Sequence, residues 1–306
     1  MRLLANYQNG NYTVKLYEDG TKVKYNDLDN FTPEFAESID CTITTRCNGG
    51  CEYCYLNCTD RGIHADLNNP LLNSLHSGTE IAINGNDLSH PDLVSFLQRM
   101  KNKGVIVNIT INQKHFNSCI DILKEWQDKD LIHGIGVSLT DSSDETLIAN
   151  LKAVKHTVLH VIDGCFTQQD LENLKDKNII MLFLGYKHKG RGNAYYHANK
   201  DFVDGNIKFL REHLYDYRGN FPGFAFDNLA TQDLDIQHKV SPESWSINHM
   251  GEEGEFTFFI DLVHNEYAVS SMETKYIFPI QDGDTVDTMF KHIRSIFEQV
   301  RNNDKT

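Results

Sequence analysis

Cys41-Thr-Ile-Thr-Thr-Arg-Cys47-Asn-Gly-Gly-Cys51-Glu-Tyr-Cys54-Tyr-Leu-Asn-Cys58 is the stretch on which the reading of this chain turns, because it holds five of the seven cysteines. Within it, Cys47, Cys51 and Cys54 form C-x3-C-x2-C directly after a short apolar, β-branched run. Three thiolates so close in sequence can wrap one face of an iron–sulfur cube. Such a cube normally takes four cysteines, one per iron. A set of three leaves one iron open to a ligand that is not protein. Zinc is the first competing reading, with Cys41 or Cys58 as a fourth thiolate. Structural zinc sites usually pair two short-spaced knuckles, whereas Cys119 and Cys165 stand isolated and far apart. A disulfide framework is the second, and a chain of 306 residues with its cysteines crowded into one segment does not fit it. The spacing favours the iron–sulfur cluster.

Outside this segment the composition is that of a globular enzyme, with 40% hydrophobic and 24% charged residues. The formal net charge is −14, from 29 basic and 43 acidic residues. A chain that grips a polynucleotide usually presents a basic patch to its phosphates. The densest basic stretch, Lys187-His-Lys189-Gly-Arg191, is short and local. No nucleic-acid partner is expected, and a small-molecule substrate is the better fit. No run approaches the ~20 apolar residues of a membrane span, and the amino-terminal residues lack the pattern of a signal peptide. The expectation is no membrane partner and a cytoplasmic location, where free thiols stay reduced.

The pattern along the chain predicts an α/β fold in three parts. Residues 1–37 read as an amino-terminal β-hairpin, Tyr12–Tyr17 and Thr21–Tyr25 about an Asp-Gly turn. Residues 38–192 alternate strands, near 39–45, 79–84, 105–111, 134–139, 157–162 and 179–184, with helical segments such as Asp92–Lys103. That alternation predicts a parallel sheet curled into a partial or complete (β/α)6 barrel of TIM type. Residues 193–306 form a carboxy-terminal α/β extension that caps the core and supplies the substrate pocket. It holds a helix over Asp201–Leu214, a hairpin turning at His264-Asn265, and a helix over Thr285–Arg301. That last helix carries Val286, Met289, Phe290, Ile293, Ile296, Phe297 and Val300 on one stripe, which reads as core packing. Strands of a parallel barrel are covered on both faces and should be nearly all apolar. Polar residues at period two toward their carboxyl ends therefore point to a site. Asn108, Thr110 and Asn112 do this on the third strand, Ser138 and Thr140 on the fourth, His160 or Asp163 on the fifth.

The C-x3-C-x2-C spacing after a β-branched strand, followed by these repeats, resembles the radical S-adenosylmethionine (radical SAM) superfamily, here with a single cluster. The resemblance spans roughly residues 38–190. It implies a 4Fe-4S cluster on Cys47, Cys51 and Cys54, with SAM chelating the open iron. It also implies an external electron donor of flavodoxin or ferredoxin type. Reductive cleavage of SAM would give methionine and a 5′-deoxyadenosyl radical that abstracts hydrogen from substrate, the cofactors supplying the hard step. The superfamily's Gly-Gly-Glu-Pro after the second strand is matched by Asn84-Gly85-Asn86-Asp87, which departs from it at the first Gly and at the Glu. Tyr53 falls where the backbone meets adenine. Asn112 and Ser138 fall where ribose and carboxylate contacts arise, and Gly185, between Leu184 and Tyr186, where adenine is lined.

No cysteine follows Cys165, so no auxiliary cluster is expected. Phe226, Asp227 and Asn228 are the candidate substrate residues, a carboxylate beside aromatic faces suiting a guanine-like edge. A plain strand end with a capping Asp is the competing reading. Lys187 and His160 are candidate proton donors. The chain further resembles a group of small radical SAM proteins with an Asn-Gly-Asn-Tyr hairpin, Ser-His-Pro-Asp-Leu, and Gly-Tyr-Lys-x-x-Gly-Arg-Gly. These stand here at Asn9–Tyr12, Ser89–Leu93 and Gly185–Gly192. Among single-cluster enzymes of this size, queuine lyase of queuosine salvage is the favoured analogue, a lyase releasing 7-aminomethyl-7-deazaguanine. Radical modification of a peptide or protein side chain is the alternative, and a non-enzymatic zinc or iron–sulfur protein the third reading.

Overall fold

The computed structural model describes residues 1–28 and 30–303, with side chains through Gln299. At the amino end, β1 (Leu3–Asn9), β2 (Tyr12–Tyr17) and β3 (Lys22–Tyr25) form an antiparallel three-stranded sheet. The sequence reading gave the β2–β3 hairpin and missed β1, whose apolar and polar residues alternate only weakly. Alternation is clean in β2, where Tyr12, Val14 and Leu16 are buried. A knot of charge pins this sheet to the rest of the chain. Lys22 pairs with Glu80 at 2.9 Å and with Glu37 at 3.5 Å, Lys24 with Glu37 at 3.4 Å, and the Tyr12 hydroxyl donates to Glu37. Removing one member of so enclosed a set leaves a buried charge unpaired, which costs about 3–5 kcal/mol.

The main sheet begins with six parallel strands: β4 (Ser38–Thr42), β5 (Glu80–Asn86), β6 (Ile106–Asn112), β7 (Ile135–Ser138), β8 (Thr157–Ile162) and β9 (Met181–Leu184). These are the expected strands, displaced at their ends by up to three residues. The sheet then continues past the six on both sides. Strand β10 (Phe224–Phe226) adds parallel to β9, and β11 (Thr257–Asp261) adds parallel to β4. Strands β12 (Glu266–Ala268) and β13 (Ile277–Pro279) extend it antiparallel. The order is β10-β9-β8-β7-β6-β5-β4-β11-β12-β13, a mostly parallel sheet with free edges at β10 and β13. It does not close on itself. The carboxy-terminal third thus contributes strands to both flanks of the core sheet.

Helices join the strands: α1 (Leu93–Lys103), α2 (Gln113–Ser118), α3 (Ile120–Asp128), α4 (Glu145–Ala153) and α5 (Gln168–Leu174) between β5 and β9. After β9 come α6 (Arg191–Ala198), α7 (Lys200–His213), α8 (Asn228–Asp233), α9 (Pro242–Asn248) and the closing α10 (Val286–Asn303). The expected stripe of α10 buries Val286, Met289, Phe290 and Ile293, with Ile296 and Phe297 half-buried; the Val300 side chain lies outside the described residues. Helix α1 turns Leu93, Phe96, Leu97 and Met100 inward, each fully enclosed and contributing about 1.5–3 kcal/mol.

The two faces of the core sheet differ sharply. One carries Ile39, Cys41, Ile81, Ile83, Val107, Ile109, Ile135, Val137, Leu159, Val161, Met181 and Phe183, all buried in the main core. The other carries Asp40, Ala82, Asn84, Asn108, Thr110, Gly136, Ser138, His160 and Leu182, which are exposed or half-buried. Parallel pairing keeps these in rows: Asn84, Thr110, Gly136 and Val158 are successive partners, and so are Asn112, Ser138, His160 and Leu182. A sheet covered by helices has no need of such a face for stability. It is where the site sits.

Candidate metal and cofactor site

The chain leaves β4 at Thr42 and makes a long excursion before β5. The excursion doubles back on itself: Cys47 N donates to Thr59 O at 2.8 Å, Thr59 N to Thr45 O at 3.0 Å, and Ala65 N to Ile43 O at 2.9 Å. Cys47, Cys51 and Cys54 lie on its tip with partly exposed thiols, and all seven cysteines are free. The tip is held from β5. Asn84 Oδ1 accepts from Ile43 N at 2.7 Å and its Nδ2 donates to Thr44 O at 2.7 Å. Asn86, in the left-handed region at φ 51°, donates to Arg46 O at 3.0 Å and toward Cys58 Sγ at 3.5 Å. The two asparagines taken as cofactor ligands thus have their side chains occupied in shaping the cysteine loop. Gly85 sits between them at a bulge in the β5–β6 ladder, against Ile109.

From β6, Asn112 reaches the same tip. Its Oδ1 caps α2 by accepting from Lys114 N at 3.0 Å, which leaves Nδ2 directed at Cys51 Sγ, 3.6 Å away. Arg191, at the start of α6, holds the loop from the other side. Its guanidinium donates to the carbonyls of Cys51 and Cys58 at 3.0 Å, and its backbone N–H to that of Cys54 at 3.1 Å. The sequence reading quoted the Gly-Arg-Gly turn but gave Arg191 no role. Tyr53 lies beside Tyr195 edge to face.

Only one of the three motif thiols is drawn toward its anionic form. Cys54 is drawn down to about 6, first by the Cys58 thiol that donates to it and also by Arg191. Burial pushes Cys47 and Cys51 up, a penalty that a bound cation offsets. Among the described residues, Asp261, His264 and Glu266, at the β11–β12 turn, form the one group of three candidate ligands within 4.8 Å of one another. For the motif cysteines the donor set itself is the test: three thiolates with a fourth position open suit an iron–sulfur cube.

A second set of buried polar groups gathers about Lys187. Lys187 Nζ donates to Ser271 Oγ at 2.6 Å and sits 4.2 Å from the centre of the Tyr55 ring. Burial works against its charge, but Tyr55, Asp227, Asp40 and Glu253 outweigh that and hold it protonated. Enclosure pushes Glu253 up to about 7. Asp40, Tyr55 and Glu253 were missed in the sequence, although a lone Asp inside the apolar Ser38–Thr42 strand is a signal that could have found the first.

The other expected site residues fare differently. His160 packs over Gly136, where an added Cβ would fall 2.1 Å from its ring. Burial, and secondarily Lys187, push His160 down to about 4. That shift favours the neutral imidazole at pH 7, whereas Lys187 keeps its proton. Ser138 stands between Asn112 and His160 in register. Asp227 caps α8, Oδ1 accepting from Ala230 N at 2.7 Å and from Gly185 N at 3.0 Å. The capping reading is therefore the one observed, and Gly185 is its partner. Phe226 stacks on Phe183 within the sheet, and Asn228 donates to Gly251 O at 3.4 Å. Asn108 bonds Glu80 and Gly134 at the opposite end of β6.

No protein-family description matches the chain, and no curated protein does. Solved structures do. SuiB of Streptococcus suis bound to its precursor peptide SuiA superposes with a TM-score of 0.55 at 14% identity, covering 86% of this chain and 68% of that one. SuiB bound to S-adenosylmethionine gives 0.55 at 13% identity, over 86% and 69%. At such identity the likeness is one of fold, and the fold is shared over most of the length of this chain.

Proposed function

We propose that this chain is a radical SAM enzyme whose Cys47, Cys51 and Cys54 hold a 4Fe-4S cluster with one iron open to SAM. The observation that carries the reading is the C-x3-C-x2-C tip itself, three free thiols spread above the polar face of a parallel sheet, at the carboxyl end of β4. In this reading the open sheet is a partial barrel and its polar face the barrel interior. When bound, cluster and SAM supply a carbon-centred radical. The chain does the rest: Asn84, Asn86 and Arg191 hold the loop's shape, and Asn112 offers an N–H to the Cys51 sulfur. Gly85, Ser138, Gly185 and Tyr53 border the space in which SAM would lie. Lys187 presents a permanent proton beside Tyr55 and Ser271.

For the substrate, modification of a peptide side chain is better supported than the nucleobase lyase. The purine reading relied on Asp227, whose Oδ1 is engaged by two backbone N–H groups. The peptide reading is supported by the fold shared with an enzyme solved with its precursor peptide. Anaerobic reconstitution with iron and sulfide, then reduction with SAM, tests the class. Formation of 5′-deoxyadenosine is expected. A colourless protein that retains zinc and leaves SAM intact overturns it. Adding short peptides encoded beside the gene, or queuine, and following the mass of each separates the two substrate readings.

A further inference from the structure

Arg191 touches three of the loop's carbonyls at once, and it does so from a turn that belongs to the other half of the site. Its Nε and Nη2 lie 3.2 and 3.0 Å from Cys51 O, Nη2 lies 3.0 Å from Cys58 O, and its backbone N lies 3.1 Å from Cys54 O. Two of these carbonyls belong to motif cysteines and the third to the cysteine whose thiol bonds Cys54. The contact is built from both sides. Gly190 adopts φ 55° and ψ −137°, and a Cβ there would meet Tyr55 O at 2.3 Å, so the turn approaches the loop as closely as a backbone allows. Four residues earlier in the same turn, Lys187 lies over the Tyr55 ring, which is next in sequence to Cys54. The cysteine loop and the substrate-facing lysine are therefore parts of one packed unit.

Resting on the reading above, we infer that Arg191 is a positioning residue for the cluster: its fork fixes the spacing of the three thiolates and makes cluster binding depend on the Lys187–Arg191 turn. Neither a thiolate nor an iron can donate a hydrogen bond to a carbonyl, so without the guanidinium the Cys51 and Cys58 carbonyls turn to water and the tip loses its fixed shape. Lysine replaces it only in part, because one ammonium lacks the planar fork that spans two carbonyls.

The test uses the full-length chain with Arg191→Ala, Arg191→Gln and Arg191→Lys. Iron and sulfide content after reconstitution, the cluster's electron paramagnetic resonance and its midpoint potential are measured for each. Removing a partner outside the first coordination shell costs about 10- to 100-fold in metal affinity. A loss of that order in Arg191→Ala and Arg191→Gln, with a shifted potential and unchanged far-ultraviolet circular dichroism, is expected. Arg191→Lys keeps the charge and serves if the other two fold poorly; it is expected to hold the cluster with a displaced spectrum. Wild-type iron content and potential in the variants overturn the proposal. Hydrogen exchange of residues 47–59 in cluster-free protein separates this from the class assignment. Faster exchange at Cys47, Cys54 and Thr59 N–H in Arg191→Ala supports the clamp even if wild type takes up no cluster, and unchanged exchange refutes it.

Discussion

Asp233, the last residue of α8, is the charged neighbour that acts most strongly on Asp163, at the carboxyl end of β8. Asp163 is fully enclosed; its Oδ1 accepts from Gly164 N at 2.6 Å, and its Oδ2 has no N–H or hydroxyl donor among the described residues. Burial first, and the charge of Asp233 next, push Asp163 up to about 8. Burial raises Asp233 too, against the opposing pull of Arg211 and His188, and Asp227 adds to the negative surroundings of both.

The sign follows from linkage. A carboxyl raised in the folded state binds its proton where the unfolded chain has lost it. Its contribution is full below about pH 4 and disappears as pH rises through about 8. Wild-type stability should therefore fall across that window. Asp163→Asn places a permanent N–H donor opposite Asp233 and should be more stable than wild type by on the order of 1–3 kcal/mol at pH 8.5, the gap closing toward pH 4. Urea melts at half-unit pH steps check this; parallel curves for the two proteins would contradict it.

Cys47→Ala, Cys51→Ala and Cys54→Ala should each abolish iron retention and SAM cleavage. Cys41→Ala should not. Cys41 points into the core at 3% exposure, on the face opposite the polar one. Inductively measured iron per chain decides, and full cleavage by Cys54→Ala would remove the basis of the assignment.

Lys187→Met should separate radical generation from product formation. SAM cleavage is expected to continue while substrate conversion falls by about 10²-fold, the typical size of a lost proton donor. The ratio of 5′-deoxyadenosine to product is the readout. His160→Gln, by contrast, should leave the shape of the pH–rate profile between 5 and 8 unaltered, since His160 titrates near 4.

Gly190→Ala should destabilise by about 1–3 kcal/mol, because the backbone there is one that side chains rarely adopt and the added carbon meets Tyr55 O. The thermal midpoint of the cluster-free chain measures it.

Strand and helix positions were legible because hydrophobic period is a local property: β5, β6 and β8 and helices α1, α7 and α10 all lie within a few residues of the expected ranges. What joined the flanks was not. That β10 and β11 would add to opposite edges of one sheet depends on pairings between residues far apart in the chain, such as Phe259 with Asp40. The same holds for the site. The thiols announced themselves by spacing, whereas the partners that shape their loop, Asn84 some 40 residues on and Arg191 some 140, are ordinary polar residues until the fold brings them together. Asp227 illustrates the converse. An acidic residue after a strand looks like a ligand and serves equally well as a helix cap, and only the two N–H groups at its Oδ1 tell which.

The two-faced core sheet imposes a rule of parity on this scaffold. Because side chains alternate at period two, inserting or deleting one residue within β6 would present Val107, Ile109 and Ile111 to the cofactor side and thrust Asn108 and Thr110 among the helices. A change of two residues keeps every side chain on its own side and merely slides the row. Length variants of the strands should thus survive in even steps and fail in odd ones, while the connecting segments, which carry no such alternation, remain free to vary by any number.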